Sequence, residues 1–139
     1  MTEDKAGTGD KIQSLVGKRL YPPGVVAAYM ILASFSVGYV LYGLNLRARG
    51  RLAYGRATIV FGIVSGTALI VRALTDRLPN PGLMLLFNFV NGIGVYKVET
   101  GAYQQALRAG AIRARWWPPF LIVLLVVAMV EAFNLLFLE

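Results

Sequence analysis

Residues 116–138 read WWPPFLIVLLVVAMVEAFNLLFL. The run holds 23 residues and a single charge, Glu131. As a helix it rises about 34 Å, enough for a hydrocarbon core of about 30 Å. Trp116 and Trp117 suit the membrane–water interface, and Pro118 and Pro119 suit a first helical turn, where a missing N–H costs nothing. The stretch is therefore read as a transmembrane helix, and the rest of the chain is read outward from it.

Three more apolar runs precede it. Residues 24–46 carry no charge, residues 57–75 carry only Arg72, and residues 81–96 carry Asn88 and Asn91. Between them lie a basic loop at 47–56 (RARGRLAYGR), a turn at 76–80 and a polar segment at 97–115. The expected fold class is all-α: a polytopic membrane bundle of four transmembrane helices (24–46, 57–75, 81–96, 116–138). Residues 1–23 form a separate region, with a polar tail and then Asp10 ahead of Ile12, Leu15, Val16 and Leu20 at helical spacing. That spacing predicts a short amphipathic helix over 10–20, lying on the membrane surface. Nothing in residues 1–20 has the apolar centre of a signal peptide.

Composition agrees. Hydrophobic residues make up 57% of the 139 residues and charged residues 15%, against about 45–50% and about 25% in a soluble domain. The net charge is +7, and most of the positive residues flank apolar runs. Topology and anionic lipid headgroups account for that placement, so nucleic acid is not an expected partner. Arg47, Arg49, Arg51, Arg56, Arg113 and Arg115 are the expected headgroup contacts. With four spans the two basic segments share the cytoplasmic side, and both termini lie outside.

The chain has no Cys and no His. Thiolate nucleophiles, disulfides, imidazole metal ligands and a Ser-His-Asp triad are excluded. Gly92 and Gly94 do not make a dinucleotide fingerprint, because Lys97 stands at the third glycine position and no strand precedes them. Asp76 and Glu99 fall on opposite sides of the expected bundle and cannot act as a pair. No catalytic residue, cofactor site or metal site is expected, and a lipid-modifying enzyme is a distant third reading.

Small residues mark helix contacts. Gly62 and Gly66 form a GxxxG ridge, and Ser34 and Gly38 offer a matching ridge on the first run. The expected use is packing within the monomer, with self-association as the alternative. The polar residues inside the runs are the strongest functional hint. Arg72 lies fifteen residues beyond Ala57 and Glu131 fifteen beyond Trp116, each about 22 Å deep. Asn88 and Tyr29 fall near the same level, counted from the other side. Tyr29, Arg72, Asn88 and Glu131 are thus expected to form one polar layer in which the arginine and the carboxylate pair.

Residues 21–46, the Arg–Gly loop and the stretch GAYQQALRAGAIRARWWPPF (101–120) resemble a class of small, uncharacterised bacterial inner-membrane proteins. Those open with a Tyr–Ser/Pro segment, have a glycine-bearing first helix with an Asn near its end (here Asn45), and finish on a Trp-led helix. Phe35, Ser36 and Val37 stand where that class carries Gly-Gly-Pro. The resemblance implies a bacterial inner-membrane location and no activity. The expected function is a non-catalytic accessory or structural subunit, packed against other membrane subunits, a second copy or lipid. The rival is a small oligomeric transporter or channel built around Glu131 and Arg72.

Overall fold

The computed structural model describes residues 15–75 and 80–137. The order is β1 (Arg19–Leu20), α1 (Pro23–Leu32), α2 (Phe35–Ala48), α3 (Leu52–Leu74), α4 (Pro81–Arg108), β2 (Ile112–Arg113) and α5 (Trp117–Phe137). The fold is all-α apart from one two-residue strand pair. Residues 15–17 form a turn and residues 19–20 a strand, so the amphipathic helix expected over 10–20 does not form there; residues 10–14 lie outside the described residues.

The main departure from the expected bundle is the first apolar run. It is two helices, not one. Pro23 opens α1, and the chain breaks at Ala33–Ser34, where Ser34 is fully extended (φ −174°, ψ 147°) and its side chain accepts from the Ser36 amide to cap α2. The two helices run antiparallel. Tyr21 beside the start of α1 meets Asn45 near the end of α2, with the Tyr21 amide donating to Asn45 Oδ1 and Asn45 Nδ2 donating to the Tyr21 carbonyl, both at 2.8 Å. Nearer the tip, a side chain on Gly38 would overlap Met30, so glycine there lets the two arms close. Apolarity and length alone could not reveal this break, because Ser at an N-cap inside an apolar run changes the backbone path and leaves hydropathy almost untouched.

The hairpin inserts between two longer helices. α2 runs antiparallel to α3 at backbone contact: a Cβ on Gly43 would lie 2.8 Å from the Gly55 carbonyl, one on Gly55 2.8 Å from the Gly43 carbonyl, and one on Gly62 2.7 Å from the Ser36 carbonyl. Close approach of this kind is what small residues permit. α1 runs antiparallel to α4, where Gly92 faces Ile31 and Ala27. Val26, Tyr29, Met30, Leu41 and Val95 form the core between them.

One end of the bundle is stitched by irregular backbone. β1 and β2 pair in parallel, with Arg19 opposite Ile112 and Leu20 opposite Arg113. Gly110 ends α4 at φ 92°, a conformation that favours glycine, and its carbonyl accepts from Gly17 N at 3.1 Å. Leu20, Tyr103, Ala106 and Ala111 pack beneath this pair.

α3 is the one helix among the described residues that is long and apolar enough to cross a membrane by the combined test of length and composition. The apolar stretches Pro23–Leu32 and Trp117–Phe133 are shorter. α4 is long, at 28 residues, but takes in Asn88, Asn91, Lys97 and Glu99. The expectation of four uniform spans is corrected accordingly.

Candidate functional site

The hairpin is shorter than the helices flanking it. From Gly55, level with Gly43, to Ser65, whose hydroxyl donates to Ser36 Oγ at 3.1 Å, α3 advances ten residues, about 15 Å. It then continues nine residues to Leu74, about 14 Å past the hairpin tip. Beyond the tip, α3, α4 and α5 enclose space that α1 and α2 do not fill.

The tip itself is a polar junction. In an unbroken helix the amides of Ser34, Phe35 and Ser36 would bond the carbonyls of Met30, Ile31 and Leu32. Here they turn to the Tyr29 carbonyl (3.0 Å), Asn88 Oδ1 (3.3 Å) and Ser34 Oγ (3.2 Å). Asn88, buried on α4, thus caps the first turn of α2. Tyr39 and Asn91 repeat the link one turn on, hydroxyl to Oδ1 at 2.6 Å. The start of α2 carries a partial positive charge and the end of α1 a partial negative one.

Two cavities border this tip. One, of about 690 Å³, lies between α3 and α4 and is lined by Phe35, Ser65 and Arg72 among others. The second, about 770 Å³, lies between α5 and the α2–α3 pair and includes Ser34, Gly66, Thr67 and Glu131. Leu69, Met84 and Asn88 line both and form the wall between them.

The expected polar layer is therefore not assembled. Asn88 lines both cavities, but Arg72 lines only the first and Glu131 only the second. The one ion pair among the described residues is Arg49–Glu99. Tyr29 is elsewhere too: its hydroxyl donates to the Trp116 carbonyl at 2.6 Å, joining α1 to the segment entering α5. The folding back at Ser34 is the reason, since it takes Tyr29 off any through-going helix.

The small residues do not form the two matching ridges expected. Gly62 and Gly66 face α2 at Ser36, as packing within the chain requires, while Gly38 serves the hairpin and Ser34 serves as a cap. Sequence reading missed Gly43, Gly55 and Gly92. Gly55 stood in the basic loop assigned to 47–56, whereas α3 begins at Leu52.

Of the arginines expected at lipid headgroups, Arg47, Arg51, Arg56, Arg113 and Arg115 are exposed at the stitched end. Arg49 is not among them. Its Nη2 donates to both oxygens of Glu99, at 2.6 and 2.7 Å, and its Nε to the Asn45 carbonyl at 3.3 Å. Asn45, Arg49 and Glu99 were all missed as a unit. The available signal was that Asn45 and Arg49 share a helix face at i, i+4, and that Glu99 is the lone carboxylate between Asp76 and Glu131. Under the strand pair, the Tyr103 hydroxyl is buried, with the Arg113 guanidinium beside it but short of a full hydrogen bond. Burial pushes its phenol above the ordinary value of 10, against the opposing pull of the nearby Arg113 guanidinium.

Among the described residues no group of three or more His, Cys, Asp or Glu side chains could hold a metal. Comparison with protein-family models, curated proteins and solved structures gives no match.

Proposed function

We propose that this chain is a non-catalytic integral membrane subunit of a bacterial inner membrane, which stabilises a larger membrane complex through its lipid-facing helices. In this reading α3, residues 81–96 of α4, and α5 cross the bilayer, and α1–α2 enters as a re-entrant hairpin from the cytoplasmic side. An irregular break at membrane depth is tolerated where its polar groups find partners in the protein, and at the Ala33–Ser34 break Asn88 Oδ1 and Ser34 Oγ accept from the Phe35 and Ser36 amides.

The observation that carries the reading is α5. Leu121, Ile122, Leu124, Leu125, Val127 and Met129 are all exposed, so the helix is apolar on nearly every side and touches the rest of the chain along one narrow seam. A surface of that size and character fits lipid or another membrane helix. Charge placement supports the orientation. Of the fourteen Lys and Arg, three (Lys5, Lys11, Arg77) lie outside the described residues; ten of the remaining eleven sit toward the stitched end, and Arg72 alone lies toward the other. The positive-inside rule puts that end, with the strand pair and residues 15–22, in the cytoplasm.

Native mass spectrometry after mild detergent extraction tests the subunit role. The expected outcome is one or more larger membrane proteins bound in fixed ratio. A chain recovered only as itself, and able to move ions across liposomes, would replace this reading with the transporter one.

A further inference from the structure

We propose that the cleft between α5 and the α2–α3 pair binds a lipophilic organic cation, with its apolar body along α5 and its charge on Glu131. The cleft, about 770 Å³, falls in the range that holds a drug-sized ligand, and its walls are almost wholly apolar. Glu131 is the one charged residue lining it, and no Lys or Arg does so. The carboxylate has no ion-pair partner among the described residues.

The helix ends at the nearby Ala33–Ser34 break do not set the sign, because the end of α1 and the start of α2 meet there with opposite partial charges. The carboxylate does: in an apolar cleft without an arginine it favours a positive charge. An ordinary acyl chain would fill the apolar length and leave Glu131 facing hydrocarbon. A cation on an apolar body satisfies both.

Glu131 has no arginine to close onto, because Arg72 points into the neighbouring cavity behind Leu69, Met84 and Asn88. The inference leans on the membrane placement of the reading above and is independent of the subunit role: it concerns binding by the purified chain alone, whether or not larger partners accompany it.

The test uses the full chain in detergent micelles and radiolabelled tetraphenylphosphonium, with tetraphenylborate, of the same shape and opposite charge, measured in separate samples because the two ions pair with each other. Saturable binding is expected at about one cation per chain, and none of the borate above its partition into empty micelles. Glu131→Gln should weaken binding by at least about tenfold, the loss expected on removing one charged partner of a desolvated pair, while Glu131→Asp retains most of it. Val126→Trp, which fills the cleft and keeps the carboxylate, should abolish binding. Circular dichroism and size exclusion establish that each variant is folded; should Glu131→Gln fail them, Val126→Trp and the borate control carry the test. Equal binding of the borate in its own samples, or unchanged binding of the cation in both variants, would show partition onto exposed apolar surface and overturn the proposal. So would an aminophospholipid found in the wild-type chain, lost in Val126→Trp and not displaced by tetraphenylphosphonium.

Discussion

Arg49 and Glu99, fifty residues apart, form a two-oxygen ion pair that locks the outgoing arm of the hairpin to α4. Their side chains are 12% and 3% exposed. Arg49 also holds the carbonyl of Asn45, and Asn45 holds both backbone groups of Tyr21, so one network fixes where the hairpin enters and where it leaves.

The pair's main contribution is to avoid a lone buried charge. Glu99→Leu should therefore destabilise the chain by about 3–5 kcal/mol, because Arg49 is left without its partner. Adding Arg49→Leu should restore much of that loss. Unfolding in detergent, followed by circular dichroism for the wild type, both single variants and the double variant, measures this. A double variant no better than Glu99→Leu would mean that the pair is net stabilising in itself.

The crossing of α2 and α3 predicts a graded response along one ridge. At Gly62 an added methyl would sit 2.7 Å from the Ser36 carbonyl and 3.0 Å from Val40 N; at Gly66 the nearest atom is Ser36 Cβ at 3.4 Å. Backbone cannot yield as a side-chain tip can. Gly62→Ala should cost about 1–3 kcal/mol, as overpacking does, and Gly66→Ala under about 0.5 kcal/mol. Thermal midpoints of the two variants give the comparison. Equal losses at both sites would place the close contact elsewhere.

Helix content and the Gly62–Gly66 contact were legible in the sequence because both follow from local periodicity: apolar runs and small residues at four-residue spacing. The hairpin was not. Its decisive residue is Ser34, whose side chain caps α2, and its decisive partner is Asn88, 53 residues away, at Phe35 N. Ser34 leaves a hydropathy profile almost untouched, and Asn88 shows there only as a polar residue, not as the partner of Phe35. The same fold-back relocates Tyr29, so a polar layer built by counting residues from each membrane edge fails at the first helix. Glu99 was visible as an isolated carboxylate among arginines, but choosing Arg49 over its neighbours needed the tertiary contact.

Tyr103 predicts a dependence on alkaline pH. Burial raises its phenol above 10, so the folded state holds the proton more tightly than the unfolded state does. The resulting stability is complete below pH of about 10, the ordinary tyrosine value, and is lost as pH rises through the higher folded value. Tyr103→Phe removes that part of the loss. It also deletes a buried hydroxyl whose polar neighbour, the Arg113 guanidinium, falls short of a full hydrogen bond, which should raise stability at pH 8 by no more than about 1 kcal/mol. Thermal melts at pH 8 and pH 11 measure both effects. A phenylalanine variant less stable at pH 8 would mean that the hydroxyl is bonded in solution.

Placed in a bilayer as proposed, the α1–α2 hairpin makes a topological prediction that a four-span bundle does not. In both arrangements Ala53 and Ala111 share a side and Asn80 lies opposite. They differ at the N-terminal segment: a spanning first helix puts Val16 with Asn80, whereas the hairpin returns the chain to the side it left and puts Val16 with Ala111. The contact behind this is direct, since Val16 lies against Gly110 and Gly17 N donates to the Gly110 carbonyl at 3.1 Å. The native chain has no cysteine, so single cysteines at these four positions report without background. In intact cells, a thiol reagent that does not cross the inner membrane should label residue 80 alone; after permeabilisation, residues 16, 53 and 111 should label as well. Labelling of residue 16 together with residue 80 in intact cells would restore the four-span arrangement and reject the hairpin as a re-entrant element.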